Sequence, residues 1–229
     1  MCETARSAGV CRLSLSGRWL ATGPAGGYSD AEAAHIVSVP EPFERTDPAA
    51  YAAERVDAAG FETGGPALLT GVDAADARGA TSGSVTVVAT TGLSNPARLP
   101  VPPAEATGDT TEPSRPAGTV NLLVGTTRAL ADGTLATLLG TAVEAKTATL
   151  QTVTGFSGTT TDAVAVGTDT TGEPAAFAGS ATDLGAATRV CVRDALLASL
   201  DARDGSPPDS VEEAAHGVVT RGSASVFIP

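Results

Sequence analysis

Lysine is almost missing from this chain: Lys146 is the only one among 14 basic residues, set against 26 acidic ones, and the formal net charge is −12. With no basic patch to displace phosphate counterions, nucleic acid is excluded as a partner. Long apolar runs are missing too. The longest, such as 85–89, are strand-sized and far below the roughly 20 residues of a bilayer-spanning helix, so no membrane association is expected. Residues 1–20 intersperse charge and show no continuous apolar stretch. No signal peptide is therefore expected, and the cytoplasm is the expected location.

Cysteine and histidine are equally sparse. Cys2, Cys11 and Cys191 are an odd, widely spaced set with no metal-ligand spacing, which points to three reduced thiols. His35 and His216 are the only histidines. A zinc held by these two and a carboxylate can be written down, but no spacing supports it, and neither a metal nor another cofactor is expected.

What is there instead is acid, arginine and small side chains, with aromatics at only 3% of residues. Concentrated salt selects this composition: near 1 M the Debye length is about 3 Å, so an acidic coat adds little self-repulsion while keeping the surface solvated. The charge speaks of habitat more than of function.

The 229 residues suit one domain, since no repeat or composition break divides them. Short β-branched runs predict strands at 35–39, 68–72, 85–90, 119–124 and 162–166. Helices are predicted over 49–59, behind Asp47 and Pro48, over 132–150 with Asp132 as cap, and from Thr182 or Asp183 to about 202. The Pro-, Thr- and acid-rich stretch 100–117 reads as a mobile surface loop and 201–209 as a second polar loop, while 218–228 returns as strands. The expected fold is α+β, a single layered domain spanning 1–229 with a mixed β-sheet flanked by helices.

The rarest polar residues cluster. Asn95, Asn121, Lys146 and Gln151 are the only residues of their types, and all lie between positions 95 and 151. Asn95 follows the 85–90 strand and Asn121 opens another apolar run, the kind of strand-end position where scaffolds present functional groups. Each asparagine could equally make a local turn through side-chain to backbone hydrogen bonds. Lys146 falls on the apolar stripe Leu135, Leu139, Ala142 and Leu150 of its helix, so its ammonium points inward and needs a partner. Glu144, two residues away, faces elsewhere. A structural ion pair with an aspartate of another segment and a snorkelling lysine are the plainer alternatives. Finally, the stretch 155–162, rich in Gly and Thr and ending at Asp162, offers backbone N–H groups before a strand, without the closing Lys or the helix of a P-loop.

In order, Thr91-Gly92-Leu93-Ser94-Asn95, Gly118-Thr119-Val120-Asn121, Glu144-Ala145-Lys146 and Gly158-Thr159-Thr160-Thr161-Asp162 resemble the adenosylcobinamide amidohydrolase family. Gly23-Pro24-Ala25-Gly26-Gly27 is similar to that family's N-terminal Gly-Gly region. The likeness spans about 18–200. Two departures stand out: Thr160 occupies a position where the family usually has glycine, and 102–117 is an insertion. The resemblance implies cobinamide salvage, in which the amide joining aminopropanol to a corrin propionate is hydrolysed to give adenosylcobyric acid. It implies a corrinoid as the small-molecule partner and no catalytic metal. Oligomeric state stays open, a homo-oligomer included.

Two routes fit the residues. In one, Glu144 or Asp162 activates a water, Lys146 protonates or steadies the leaving amine, and Asn95 and Asn121 donate to the oxyanion or grip the ring's carboxamides. In the other, the hydroxyl of Thr119 or Thr159 attacks, with Lys146 as base. Gly92, Gly118, Gly158 and Thr159 are the further substrate-binding candidates at the motif positions. A non-catalytic corrinoid carrier, or a hydrolase that cleaves itself at Gly118–Thr119, are the competing readings.

Overall fold

The computed structural model describes residues 2–23, 25–101, 119–204, 206–214 and 216–229. Within them the strands are β1 (Glu3–Ser7), β2 (Val10–Ala21), β3 (Gly27–Ser38), β4 (Ala67–Thr70), β5 (Arg78–Ser82), β6 (Val85–Thr91), β7 (Pro96–Arg98), β8 (Val120–Ala129), β9 (Gly158–Thr159), β10 (Ala163–Pro174) and β11 (Val218–Val219). The helices are α1 (Pro48–Ala58), α2 (Asp132–Thr154) and α3 (Asp183–Asp201).

The main sheet runs β4-β3-β2-β10-β8-β6-β5, with β1 pairing β2. It is mixed: β8 and β10 are parallel, as are β3 and β4, and the other pairs are antiparallel. β8 lies well inside it, and its first seven residues are buried on both faces, which explains the continuous apolar run.

Both faces are covered. On one, α2 and α3 pack Leu135, Leu138, Val192 and Leu196 against Val87, Leu122 and Val124. On the other, the sheet folds over itself. The β2–β3 ribbon shifts register between Ser14 and Gly17, and beyond that point Leu13 and Ile36, with Leu68 of β4, cover Val88, Leu123 and Ala165. Trp19 sits in this second core opposite Gly167, where an added Cβ would meet the indole at 2.7 Å. The folding-over matters for function because it carries the end of β4 across the starts of β8 and β10.

The α+β fold with a mixed sheet and flanking helices is as expected, and the five predicted strands fall on β3, β4, β6, β8 and β10. Three local expectations need correction. Asp132 is the first residue of α2 and not its cap, that position being Ala131; its carboxylate instead takes Arg18. Asp47 precedes Pro48 as predicted but makes no side-chain cap, because Arg45 holds its carboxylate. The strands expected over 218–228 shrink to Val218–Val219; Val226, Phe227 and Ile228 are exposed and pair with no strand among the described residues. Thr182 does cap α3, accepting from the Gly185 N–H at 3.0 Å. Most of the predicted loop 100–117 lies outside the described residues.

Candidate active site

The segments singled out in the sequence converge because the sheet ends them together. Thr91, last in β6, sits opposite Val120, first in β8; Ala163, first in β10, sits opposite Asn121. Two short strands lock the turns beyond: β7, just after Asn95, pairs with β9, placing Pro96 opposite Thr159. The Asn95 carboxamide donates to Thr160 Oγ1 at 2.6 Å, and the Thr160 N–H returns to Asn95 O at 3.2 Å.

At the centre of these turns Lys146 and Asp162 form an ion pair, with side chains only 8% and 12% exposed. α2 aims the ammonium inward from its buried face, and the turn before β10 supplies the carboxylate. Asp162 is thoroughly engaged. Its Oδ1 accepts from the Val120 N–H at 3.1 Å and from Thr159 Oγ1 at 2.5 Å. Its Oδ2 accepts from the Thr159 N–H at 3.1 Å and from Lys146. Four donors fill the acceptor sites of an ionised carboxylate. They also offset the cost of burying both charges, which few buried pairs manage. Gly158 makes room: a Cβ there would press on Asp162 Oδ2 and lie 3.0 Å from Lys146 Nζ.

Above the pair opens a cleft of about 940 Å³. Asp162, Thr161, Thr119, Thr70 and His216 contribute its polar surface. Val39, Pro40, Pro42, Phe43 and Leu69 contribute apolar walls, with Glu41 and Glu44 on the same exposed loop. The Thr119 hydroxyl donates to Thr70 Oγ1 at 3.1 Å, bridging β4 to the start of β8. Such a surface suits a broad, largely apolar ligand that carries polar groups at its edge.

The sequence candidates separate on this geometry. Asp162 and Thr119 face the cleft, and Lys146, Gly158 and Thr159 lie directly behind Asp162. Gly92 is one layer back, its N–H on Thr119 O at 3.0 Å. Asn95 and Asn121 are wholly buried in the wall. Asn121 donates to Leu69 O at 2.7 Å, and the carboxamide oxygens of both have no partner among the described residues. Glu144 is not brought in: it is exposed between helices, paired with Arg189 of α3. Gly118 lies outside the described residues.

His216, which the sequence suggested only as a possible zinc ligand with His35, lines this cleft. It stands two residues before β11, which pairs with β7 and so joins the tail to the Asn95 turn. Nothing local marks it for this role beyond its being one of two histidines. The other, His35, lies away from this cleft, lining a separate cavity of about 260 Å³. It is 1% exposed, and burial, reinforced by the Arg12 charge, lowers its pKa to about 4. All three cysteines are free and buried, and burial pushes the Cys11 and Cys191 thiols up to about 11. Among the described residues no three His, Cys, Asp or Glu side chains converge as a metal site. No described helix is long and apolar enough to cross a membrane.

Comparison with known proteins agrees with the family resemblance. The family model described as adenosylcobinamide amidohydrolase matches residues 3–208. A protein of Halobacterium salinarum named adenosylcobinamide amidohydrolase is 50% identical over 232 residues, covering 100% of both chains. Among solved structures, the PH0078 protein from Pyrococcus horikoshii OT3 aligns over 90% of this chain and 81% of its own, with 12% identity and a TM-score of 0.44, a similarity too loose to carry weight by itself.

Proposed function

This chain belongs to the adenosylcobinamide amidohydrolase family of amide hydrolases, and we propose that the cleft above Asp162 is where it cuts the aminopropanol amide of adenosylcobinamide. The products are adenosylcobyric acid, which can re-enter cobalamin assembly, and free aminopropanol. The observation that carries the assignment is the buried Lys146–Asp162 pair, held by Thr159 and admitted by Gly158, directly beneath a cleft of about 940 Å³ with both polar and apolar walls.

The chain's own residues divide the work. The apolar walls at Val39, Pro40, Phe43 and Leu69 receive a face of the corrin macrocycle, and the hydroxyls of Thr70, Thr119 and Thr161 meet the amide-bearing side chain. Lys146, oriented by Asp162, sets a positive charge beneath the position where the tetrahedral oxyanion develops, in a dry layer where such a charge is most effective. Asp162 acts through Lys146 and the Thr159 turn, since its acceptor sites are already occupied. Water is the nucleophile. Asn95 and Asn121 hold the wall that the reaction needs, through Thr160 and Leu69.

The acidic surface and the halobacterial relative support a cytoplasmic enzyme working in concentrated salt. The test is to incubate the purified protein with adenosylcobinamide in molar KCl and follow the products by mass spectrometry. Adenosylcobyric acid with an equal amount of aminopropanol is the expected result. Tight binding with no turnover would favour a carrier. A chain split at Gly118–Thr119 would favour a self-processed threonine hydrolase.

A further inference from the structure

We infer that His216 is the proton-transfer residue of this cleft: its imidazole takes a proton from the attacking water and delivers one to the nitrogen of the departing aminopropanol. This rests on the hydrolytic reading above and concerns which side chain performs its acid–base chemistry.

Amide hydrolysis needs one group that is basic while water attacks and acidic while the C–N bond breaks. Among the described residues, the titratable side chains lining the cleft are Glu41, Glu44, Asp162 and His216. Asp162 is committed, with four donors on its two oxygens. Glu41 and Glu44 are exposed on the loop after β3, where water competes for every proton they could hold and nothing fixes them over one bond. Lys146 is tied to Asp162 behind the cleft surface. His216 is the one imidazole among these lining side chains, half-buried and on the cleft surface. Imidazole is the side chain best suited to both halves of such a transfer near neutral pH.

The fold gives His216 a reason to be there. The three-stranded sheet β11-β7-β9 carries Thr159, which holds Asp162, on one edge strand, and on the other edge the strand that begins two residues after His216. One small sheet thus sets the imidazole and the Lys146–Asp162 pair in a common frame, although they are far apart in sequence.

The step balances without a co-reactant. Water oxygen bonds to the amide carbon while His216 takes one water proton, giving a tetrahedral anion and an imidazolium. The C–N bond then breaks as the imidazolium proton passes to nitrogen and the carbonyl re-forms, and the new carboxylic acid gives its proton to the freed amine, leaving carboxylate and ammonium. His216 ends neutral.

The test compares wild type, His216→Gln and His216→Gly in molar KCl. It measures kcat, KM, binding of adenosylcobinamide by its visible absorbance, and turnover with added imidazole. The expected result is a kcat lower by about 10²-fold or more in both variants, with binding retained and partial recovery of His216→Gly by imidazole. A His216→Gln kcat within about twofold of wild type would overturn the inference, as would a loss explained by binding alone that imidazole does not restore. A wild-type enzyme that released no aminopropanol would instead remove the hydrolytic reading itself, and the role of His216 with it.

Discussion

Lys146 and Asp162, sixteen residues apart in sequence, meet as a buried ion pair against the bare backbone of Gly158. Removing one partner leaves the other charged and desolvated. Lys146→Met should cost about 3 kcal/mol of stability and lower kcat by about 10²-fold or more in the fraction that remains folded. Denaturant titration together with turnover per folded molecule checks both. Full turnover from well-folded Lys146→Met would remove Lys146 from the mechanism.

Gly158→Ala probes the same pair from outside. The new Cβ would lie 3.0 Å from Lys146 Nζ and against Asp162 Oδ2, so the carboxylate has to give up its place over Thr159. Turnover should fall much more steeply than corrinoid affinity, since the cleft walls at Val39, Phe43 and Leu69 are untouched. Equal losses in both would point to a collapsed cleft.

Glu144 offers the contrast. Its pairing with Arg189 is exposed, 37% on the arginine side and 62% on its own, and surface pairs contribute little. Glu144→Gln should change stability by no more than about 0.5 kcal/mol and leave turnover as it was. A large loss of activity would return Glu144 to the chemistry.

His35 should make stability fall in mild acid. Burial lowers its folded-state pKa from 6.5 to about 4, so between those values the unfolded chain binds a proton that the folded one does not. Stability is full above about pH 6.5 and declines as pH falls toward 4, by up to about 3 kcal/mol. Unfolding free energies at several pH values, wild type against His35→Gln, isolate this contribution from that of the carboxylates. The variant should show a shallower decline, and parallel curves would contradict the assignment.

Salt should stabilise the protein broadly. With a net charge of −12, the repulsion felt at a Debye length near 10 Å in 0.1 M salt is largely screened at about 3 Å in 1 M. Melting temperature should rise steadily with KCl over this range. A flat profile would detach the acidic composition from habitat.

Much of this molecule was legible before its fold. The inward-facing lysine could be read from the spacing of Leu135, Ala142 and Leu150, and Lys146 is indeed 6% exposed. Its partner could only be described as an aspartate of another segment, because β10 has to lie beside β8 before Asp162 reaches α2. The asparagines were found by their rarity. Their position, inside the wall and not at its surface, depends on β4 crossing over to offer Leu69 O. β2 was passed over even though Leu13 and Leu15 alternate with serines, since arginines and glycine interrupt a run that its pairing with β1, β3 and β10 stabilises.

By itself, then, the sequence determined the local and compositional facts: three helices from apolar periodicity and end signals, the strands of the sheet interior from β-branched runs, the acidic, lysine-poor charge, and the likeness to the family. Those depend on neighbours within a few residues or on totals over the chain. Tertiary structure alone decided which motif residues face the cleft, which hold its wall, that Glu144 is spent on the surface, and that a histidine near the tail joins the site. These outcomes follow from long-range strand pairing, above all β11 with β7 and β7 with β9. Residues brought together that way have no shared period for a linear pattern to record.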